Sequence, residues 1–598
     1  MDTDQKDHTM TDFVFDIETA GLHISDAWRC MAWSPSYRDK PKITFDLHEA
    51  IEVLKDAILK GHRLVGHNIV CFDLPKMCWE EMREMGTDTL LEDIRSHAVM
   101  ADTLIASRHL FPTRKSHAMK AWAEELMADY PCGPKPEVED FATASLTELE
   151  KRCVEDVTAE ACLWDYLHHE QGVPDCIAMA DFEHQWYGLV VELLATGVPY
   201  NFLDSLRVLE HLCDKAKMPQ AVLEAHFPGV NFNSTKQVDE ALKKKYGAGL
   251  PLSTKTDNPT MKKTRREEIC ITFPLMNAHF EYKDATKALS FITPPPEGKE
   301  SKLSVGQFTA DSPMWEGKAI YPTLNYVGTR TGRMQYESPP INQMPKKVRR
   351  VVRAPKGWVL VGMDIVALEM AWTGYMLEQL CGESTIMDQV RNGESAKKLT
   401  LEAFRPAMEN VRVYGGMSLE DVAKTINYAL IYGIGKHNLA ATLNLPMDGE
   451  NKALSTKLVN DCYEKRFPKM GMLNKAIQGT MDDNVLTGFY GAKVLTEPWK
   501  ALNAFIQNSG ADYARRVMYL WWSELKRLWG FGAVRACVYN MDELQLLVNC
   551  KDAVDREDLE VELRFIADRM EDLFKQAYGG DYVAGIDWKI GNTWEETH

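Results

Sequence analysis

No stretch of this 598-residue chain approaches the roughly 18 consecutive apolar residues that a membrane-spanning helix needs. The opening MDTDQKDHTM is polar and lacks the apolar core of a secretory signal. The 13 cysteines are odd in number and scattered, and no two form a CxxC pair. That pattern disfavours a disulfide framework or a cysteine zinc site and fits reduced thiols in a cytoplasm. Internal repeats and low-complexity tracts are missing too, which excludes a repeat architecture. Positive charge is in short supply: 69 Lys and Arg face 87 Asp and Glu, for a net charge of −18. Averaged over the surface, that balance opposes binding to nucleic acid.

The basic residues that are present lie in clusters. KKK at Lys243 to Lys245, KKTRR at Lys262 to Arg266 and KKVRRVVR at Lys346 to Arg353 can neutralise phosphates locally while the remaining surface stays acidic. A solvated helix face explains any single patch equally well. The third patch gains weight because it runs straight into an apolar strand ending at Asp364. The length is too great for one core and predicts roughly three or four domains. Up to about residue 185, strand-like runs (FVFDIE, RLVGHNIV) alternate with amphipathic stretches, which predicts an α/β domain. Mostly helical, basic sequence follows to about 290, and FITPPPEGKES reads as a linker. From about 302 strands return, interrupted by a helical block from about 367 to 480.

Two separate groups of acids stand out. In FDIETAGL, Asp16 and Glu18 are two apart at a strand end, so both side chains face the same way. HNIVCFDLP supplies Asp73, and the helical KRCVEDVTAEA supplies Asp156. Four carboxylates from separate elements can hold two divalent ions. One ion activates a water and the other stabilises the leaving oxygen of a phosphodiester. Oxygen ligands of this kind suit Mg²⁺ or Mn²⁺. Asp-x-Glu alone is a weak signal, since surface carboxylate pairs are common. Asn-x-x-x-Phe-Asp from Asn68 to Asp73, together with Asp156, makes it specific.

The second group lies far downstream. WVLVGMD reads as a buried strand ending at Asp364. ACVYNMDELQLLV predicts a β-hairpin with Asp542 and Glu543 at its tip. A strand end beside a hairpin tip brings Asp364 and Asp542 close enough to bridge two metals. One lowers the barrier for a primer 3′-hydroxyl, and the other holds a triphosphate and its leaving pyrophosphate. Between these acids, SLEDVAKTINYALIYG predicts a helix with Ser418 as N-cap, Asp421 three residues on, and Gly433 as its stop. Lys424 and Tyr428 share one face. The lysine can grip triphosphate oxygens, and the tyrosine can pack on the incoming sugar and base. Tyr432, one turn later, can stack at the template base. Taken singly, these features are a satisfied turn carboxylate and an amphipathic helix with a snorkelling lysine. In the order acid, basic helix, acid, they are what a template-directed nucleotidyl transferase requires.

Over nearly its whole length the chain resembles the family A DNA polymerases, the class of bacterial DNA polymerase I and many phage replicases. The four amino-terminal acids resemble the signature of the 3′–5′ proofreading exonucleases, and ADTLIASRHL and SHAMKAWAEELM resemble spacer elements of that domain in phage polymerases. GTRTGRMQYESPPINQMP resembles the family's TGR segment, VRRVVRAPKGWVLVGMD the lead-in to its first palm motif, and ALNAFIQNSGAD a helix that touches the minor groove. The resemblance implies an α/β multidomain fold. A ribonuclease H-like exonuclease domain would fill 1–185, followed by a right-hand polymerase. The start of the polymerase and its thumb would occupy 186–300, palm 301–378, fingers 379–490 and palm again 491–598. Asp364, Asp542, Asp16, Glu18, Asp73 and Asp156 would be catalytic metal ligands, with two Mg²⁺ per active site and Mn²⁺ able to substitute. Lys424, Tyr428, Tyr432, Glu369 and Lys397 would bind the nucleotide, Glu369 acting as a steric gate against a ribose 2′-hydroxyl. Arg333, Arg349, Asn503, Gln507 and Glu543 would contact DNA.

Some positions depart from the family pattern. Arg152 and Lys151 stand where it has a water-orienting tyrosine or histidine. Glu420 replaces an arginine four residues before Lys424, a spacing that favours an ion pair between the two. Met541 replaces a histidine. The implied enzyme is a phage-type replicative polymerase acting on primer–template DNA and dNTPs in a host bacterial cytoplasm. A replicative helicase-primase is its candidate partner, and no 5′-nuclease domain is expected ahead of the first acid motif. The stretch from about Gly197 to Asn231 is short, so no thioredoxin requirement is expected. Two alternatives stay open: a single-subunit RNA polymerase, and a 3′–5′ nuclease with a degenerate polymerase half. Glu369 and the amino-terminal acids oppose the first; Asp364, Asp542 and Lys424 oppose the second.

Overall fold

The structure, a computed structural model, describes residues 11–134, 136–170, 174–252, 258–261, 266–294, 301–392, 401–402, 423, 426, 428, 449–457, 460 and 467–598. The first half is built on a five-stranded sheet in the order β3-β2-β1-β4-β5, made of β1 (Asp12–Thr19), β2 (Trp28–Ser34), β3 (Lys42–Thr44), β4 (Arg63–Gly66) and β5 (Val99–Asp102). β1, β4 and β5 are parallel, while β2 and β3 run antiparallel. The DFVFDIET of β1 alternates between two covered faces, as a side-chain period of two demands. Phe13, Phe15 and Ile17 join one core cluster with Ile51, Leu54 and Ile58 of α1 (Leu47–Leu59). Helix α2 (Asp73–Met85) follows β4. Val14 joins a second cluster with Leu149, Cys153 and Val157 of α3 (Leu146–Asp165). Each such side chain contributes roughly 1.5–3 kcal/mol on burial. Asp16 and Glu18 fall on the Val14 face, so the strand's own alternation aims them at α3. A capping box fixes the start of that helix: Ser145 Oγ accepts from Glu148 N at 3.3 Å, and Ser145 N donates to Glu148 Oε2 at 2.9 Å.

In the second half, α4 (Phe202–His226) packs on α5 (Met276–Ile292). A four-stranded antiparallel sheet follows in the order β7-β8-β6-β9, with β6 (Trp358–Ile365), β7 (Val534–Asn540), β8 (Glu543–Asn549) and β9 (Ile586–Gly591). Helix α7 (Ala501–Trp529) packs against β7, and α6 (Leu368–Cys381) and α8 (Ala553–Tyr578) pack against α7. One hydrophobic cluster includes Phe15 of the first sheet and Leu360 of the second, so the two halves share a core. The expected domain limits at 185 and 378 fall inside the helices Pro174–Thr196 and Leu368–Cys381, because composition shifts there without interrupting the helices.

A buried charge cluster reinforces this junction. Glu192, fully buried, accepts from Trp522 Nε1 at 3.1 Å, from Ala536 N at 2.7 Å, and from Lys526 and Arg95. Burial alone would raise its carboxyl, but Lys526, Arg95 and Arg535 hold it down at about 2. Lys526 is itself pushed well down, by burial and by the two guanidiniums that share its carboxylate. Among the described residues, no helix is long and apolar enough to cross a membrane.

Candidate active sites

Strand pairing assembles the carboxyl-terminal acids. Asp364 on β6 faces Glu543 on β8 and Asp587 on β9. Two residues, Met541 and Asp542, join β7 to β8. Met541 adopts φ 63°, the left-handed first position of a tight hairpin turn where glycine is usual. Ile365 N donates to Asp542 O at 3.0 Å, which docks the turn on the end of β6 and sets Asp542 beside Asp364. Glu543, expected at the tip, instead opens the return strand.

The surrounding protein, then Asp542 and Glu543, push the Asp364 carboxyl up to about 7. Asp542 is also raised, chiefly by burial, against the pull of Arg333. Neighbouring acids that resist ionising together mark a place short of positive charge. Their hard oxygen donors fit Mg²⁺.

A cleft of about 340 Å³ beside these acids is lined by Arg333, Glu369, Tyr428, Arg515, Tyr539 and Asp542, among others. Ala367, left-handed at φ 48°, turns the chain into α6 and brings Glu369 to the cleft. There Arg333 Nη2 donates to Glu369 Oε1 at 2.6 Å. The loop that presents Arg333 is tied to α7: Asn508 Nδ2 donates to Thr331 O at 3.2 Å, and Thr331 Oγ1 donates to Gln507 Oε1 at 3.3 Å. Asn503 lies one turn before Gln507 on the same helix. Burial, then Glu369, Asp542 and Asp364, push the Tyr428 hydroxyl up to about 12. Lys424, Tyr432 and Lys397 lie outside the described residues, as do Glu420 and the Ser418 cap.

Arg349 and Glu543, expected at DNA, do not line this cleft. Glu543 is 2% exposed. Trp594 donates to its Oε1, and His598 Nδ1 lies 3.0 Å from Oε2. Burial would raise this carboxyl, yet His598 and Trp594 hold it below its usual range. Arg349 lies over the Trp594 ring at 4.4 Å, with Nη1 3.7 Å from Glu543 Oε2. Charges withdrawn from water need partners. The chain's last residues supply them, some fifty positions away from Glu543 in sequence.

Three residues of this region carry no sequence expectation. Arg515 is 2% exposed, donates to Tyr326 OH at 2.9 Å and pairs with Asp512. A signal for it existed: Asn503, Gln507, Ala511 and Arg515 step by four along one helix face. Tyr539 precedes the turn on β7, in a run whose every position but the last is buried. Asp587 reaches Asp364 only through β6–β9 pairing, which no local pattern announces.

At the amino-terminal site, Asp16, Glu18 and Asp156 bring carboxylate oxygens within 4.8 Å of one another. Asp73, at the start of α2, accepts from Ile17 N at 3.1 Å, which ties α2 to β1 between the two strand acids. Asp102 holds the loop ahead of α2, accepting from Asn68 N at 3.0 Å and Val70 N at 3.1 Å. Burial, then Glu160, Asp73, Glu18 and Asp156, lift the Asp16 carboxyl well above its usual range. Burial is also the main cause that raises Asp73 to about 7. Glu160, 2% exposed, is a fifth acid, one turn past Asp156 on α3. An oxygen-only donor set with this excess of negative charge fits a divalent cation. One turn before Asp156 sits Arg152, with Nε 2.8 Å from Asp156 Oδ2 and 3.4 Å from Glu18 Oε1.

The family model of DNA polymerase family A matches residues 209–596. The chain is 23% identical over 356 residues to the DNA polymerase I of Helicobacter pylori strain J99, covering 56% of this chain and 35% of that protein. It is 22% identical over 466 residues to the thermostable DNA polymerase I of Thermus aquaticus, covering 72% of this chain and 50% of that one. The chain thus spans half or less of the length of these curated relatives. Among solved structures, the polymerase domain of Pol1 from M. smegmatis, in complex with DNA primer-template and dNTP, superposes with a TM-score of 0.74. That match covers 98% of this chain and 97% of the other at 16% identity, and it shows the fold alone.

Proposed function

The chain belongs to DNA polymerase family A, and from that premise we propose that it extends a primer 3′ end with dNTPs and edits its product with a 3′–5′ exonuclease. The observation that carries the polymerase reading is the meeting of Asp364 and Asp542 beside a cleft whose lining includes Asp542, Arg333, Glu369 and Tyr428. Asp364 and Asp542 would hold Mg²⁺, which when bound supplies charge for the triphosphate and lowers the barrier for the primer 3′-hydroxyl. Glu369 stands where it bars a 2′-hydroxyl, and Tyr428 packs on the incoming sugar and base. Arg333, Asn503 and Gln507 line the approach for the primer–template, and Lys424 is the proposed triphosphate grip. Glu543 and Arg349 act from behind, fixing the strand that follows Asp542.

For the amino-terminal cluster, Asp16, Glu18, Asp73 and Asp156 are the proposed hydrolytic acids. Fit alone separates right from wrong nucleotides by only a few kcal/mol, roughly 1–3 per small group, so a second, hydrolytic site adds discrimination. The phage-type setting, the helicase-primase partner and independence from thioredoxin are proposals that rest on the sequence resemblance.

Extension of a labelled primer–template with dNTPs and Mg²⁺, by wild type and by Asp542→Ala, tests the polymerase reading. Extension by wild type alone is expected. Degradation without extension by both proteins would reject it in favour of a nuclease. Equal use of rNTPs and dNTPs would instead favour an RNA polymerase-like enzyme.

A further inference from the structure

We propose that the guanidinium of Arg152 takes the place of one of two divalent cations at the amino-terminal acid cluster, so that this site binds a single metal ion. The inference rests on the exonuclease reading of that cluster. Arg152 Nε lies 2.8 Å from Asp156 Oδ2 and 3.4 Å from Glu18 Oε1, so one cation already bridges two of the three carboxylates that converge within 4.8 Å. A metal ion bridging the same pair would need the space the guanidinium fills, and the two positive charges would repel at contact distance.

The position of Arg152 is built rather than incidental. Helical spacing on α3 sets it one turn from Asp156. Its Nη1 donates to Pro136 O, and its guanidinium lies 6.0 Å from the centre of the Phe141 ring. Both partners come from the loop ahead of α3, and the side chain is only 15% exposed. At the other end of the cluster, no basic side chain among the described residues forms an ion pair with Asp16, which leaves that end for the one metal.

The exchange has a chemical consequence. A guanidinium carries a fixed charge and donates to phosphate oxygens, so it can neutralise a phosphodiester. It cannot make a bound water acidic as a metal does. Activation of the attacking water therefore falls to the Asp16 end.

The test counts Mn²⁺ by electron paramagnetic resonance titration in the presence of thymidine monophosphate. It uses the full chain carrying Asp364→Asn and Asp542→Asn, which silence the polymerase acids, with and without Arg152→Gln. One ion is expected with Arg152 present and two with Arg152→Gln. In metal-free buffer Arg152→Gln is expected to melt at a lower temperature, and Mn²⁺ should restore it while shifting the parent less. A purely structural arginine would not be replaced by metal in this way. Two ions in both proteins, or one in both, would overturn the inference while leaving the metal-site reading intact. A count unchanged by Asp16→Ala would overturn both.

Discussion

Arg333 donates from Nη2 to Glu369 Oε1 at 2.6 Å, so the side chain expected to bar ribonucleotides is held by the one expected to touch DNA. Both are largely withdrawn from solvent, at 16% and 12% side-chain exposure. That restraint stiffens the gate, since a tethered carboxylate cannot swing aside for a 2′-hydroxyl. Glu369→Ala is expected to lower discrimination against rNTPs by on the order of 10–100-fold. The check is the ratio of kcat/KM for single rNTP and dNTP insertions; an unchanged ratio would remove Glu369 from this role.

The Tyr428 hydroxyl faces Glu369, Asp542 and Asp364 and is pushed up to about 12, so it stays protonated across any working pH. It can therefore donate a hydrogen bond into the sugar site when a 3′-hydroxyl is missing. Tyr428→Phe is expected to raise discrimination against dideoxynucleotides by on the order of tenfold or more. Chain-termination ladders at matched ddNTP and dNTP concentrations would show it.

Glu192 predicts an effect far from either site. Its carboxyl sits at about 2 in the folded chain against an ordinary 4.5. A depressed acid stabilises the fold fully above the higher value and loses that contribution as pH falls through the lower one. The wild-type protein should thus lose stability between about pH 4.5 and 2 from this group, by on the order of 3 kcal/mol. Glu192→Gln leaves Lys526, Arg95 and Arg535 facing one another. It should cost about 3–5 kcal/mol at neutral pH. Denaturant midpoints at pH 7 and pH 3 would separate the two proteins, with the variant changing less on acidification.

What the sequence revealed, and what it hid, follows from the range of the interactions involved. Asp16 and Glu18 were legible because a strand's period of two is local, and Val14, Asp16 and Glu18 needed no partner to share a face. Asp364 was legible because it ends an apolar run. Met541 and Asp542 form the turn that the hairpin pattern announced, displaced by one residue from the expected tip. Glu160 and Arg515 left traces, four residues past Asp156 and eight past Gln507 along the same helix faces. Asp587 left none, because β9 is brought to β6 by tertiary pairing alone. The side-chain directions of Arg349 and Glu543 were hidden for the same reason. Their partners Trp594 and His598 are set by how the chain's last residues fold back on the sheet.

The two acid sites are proposed to act independently, the Asp364–Asp542 pair building DNA and the Asp16 cluster removing it. A labelled primer with a mismatched 3′ end, incubated with Mg²⁺ with and without dNTPs, tests this in Asp542→Ala and Asp16→Ala proteins. Asp542→Ala is expected to shorten the primer and never extend it, and Asp16→Ala to extend matched primers but leave the mismatch uncut. Loss of both activities in either variant, or mismatch removal that survives Asp16→Ala, would contradict it.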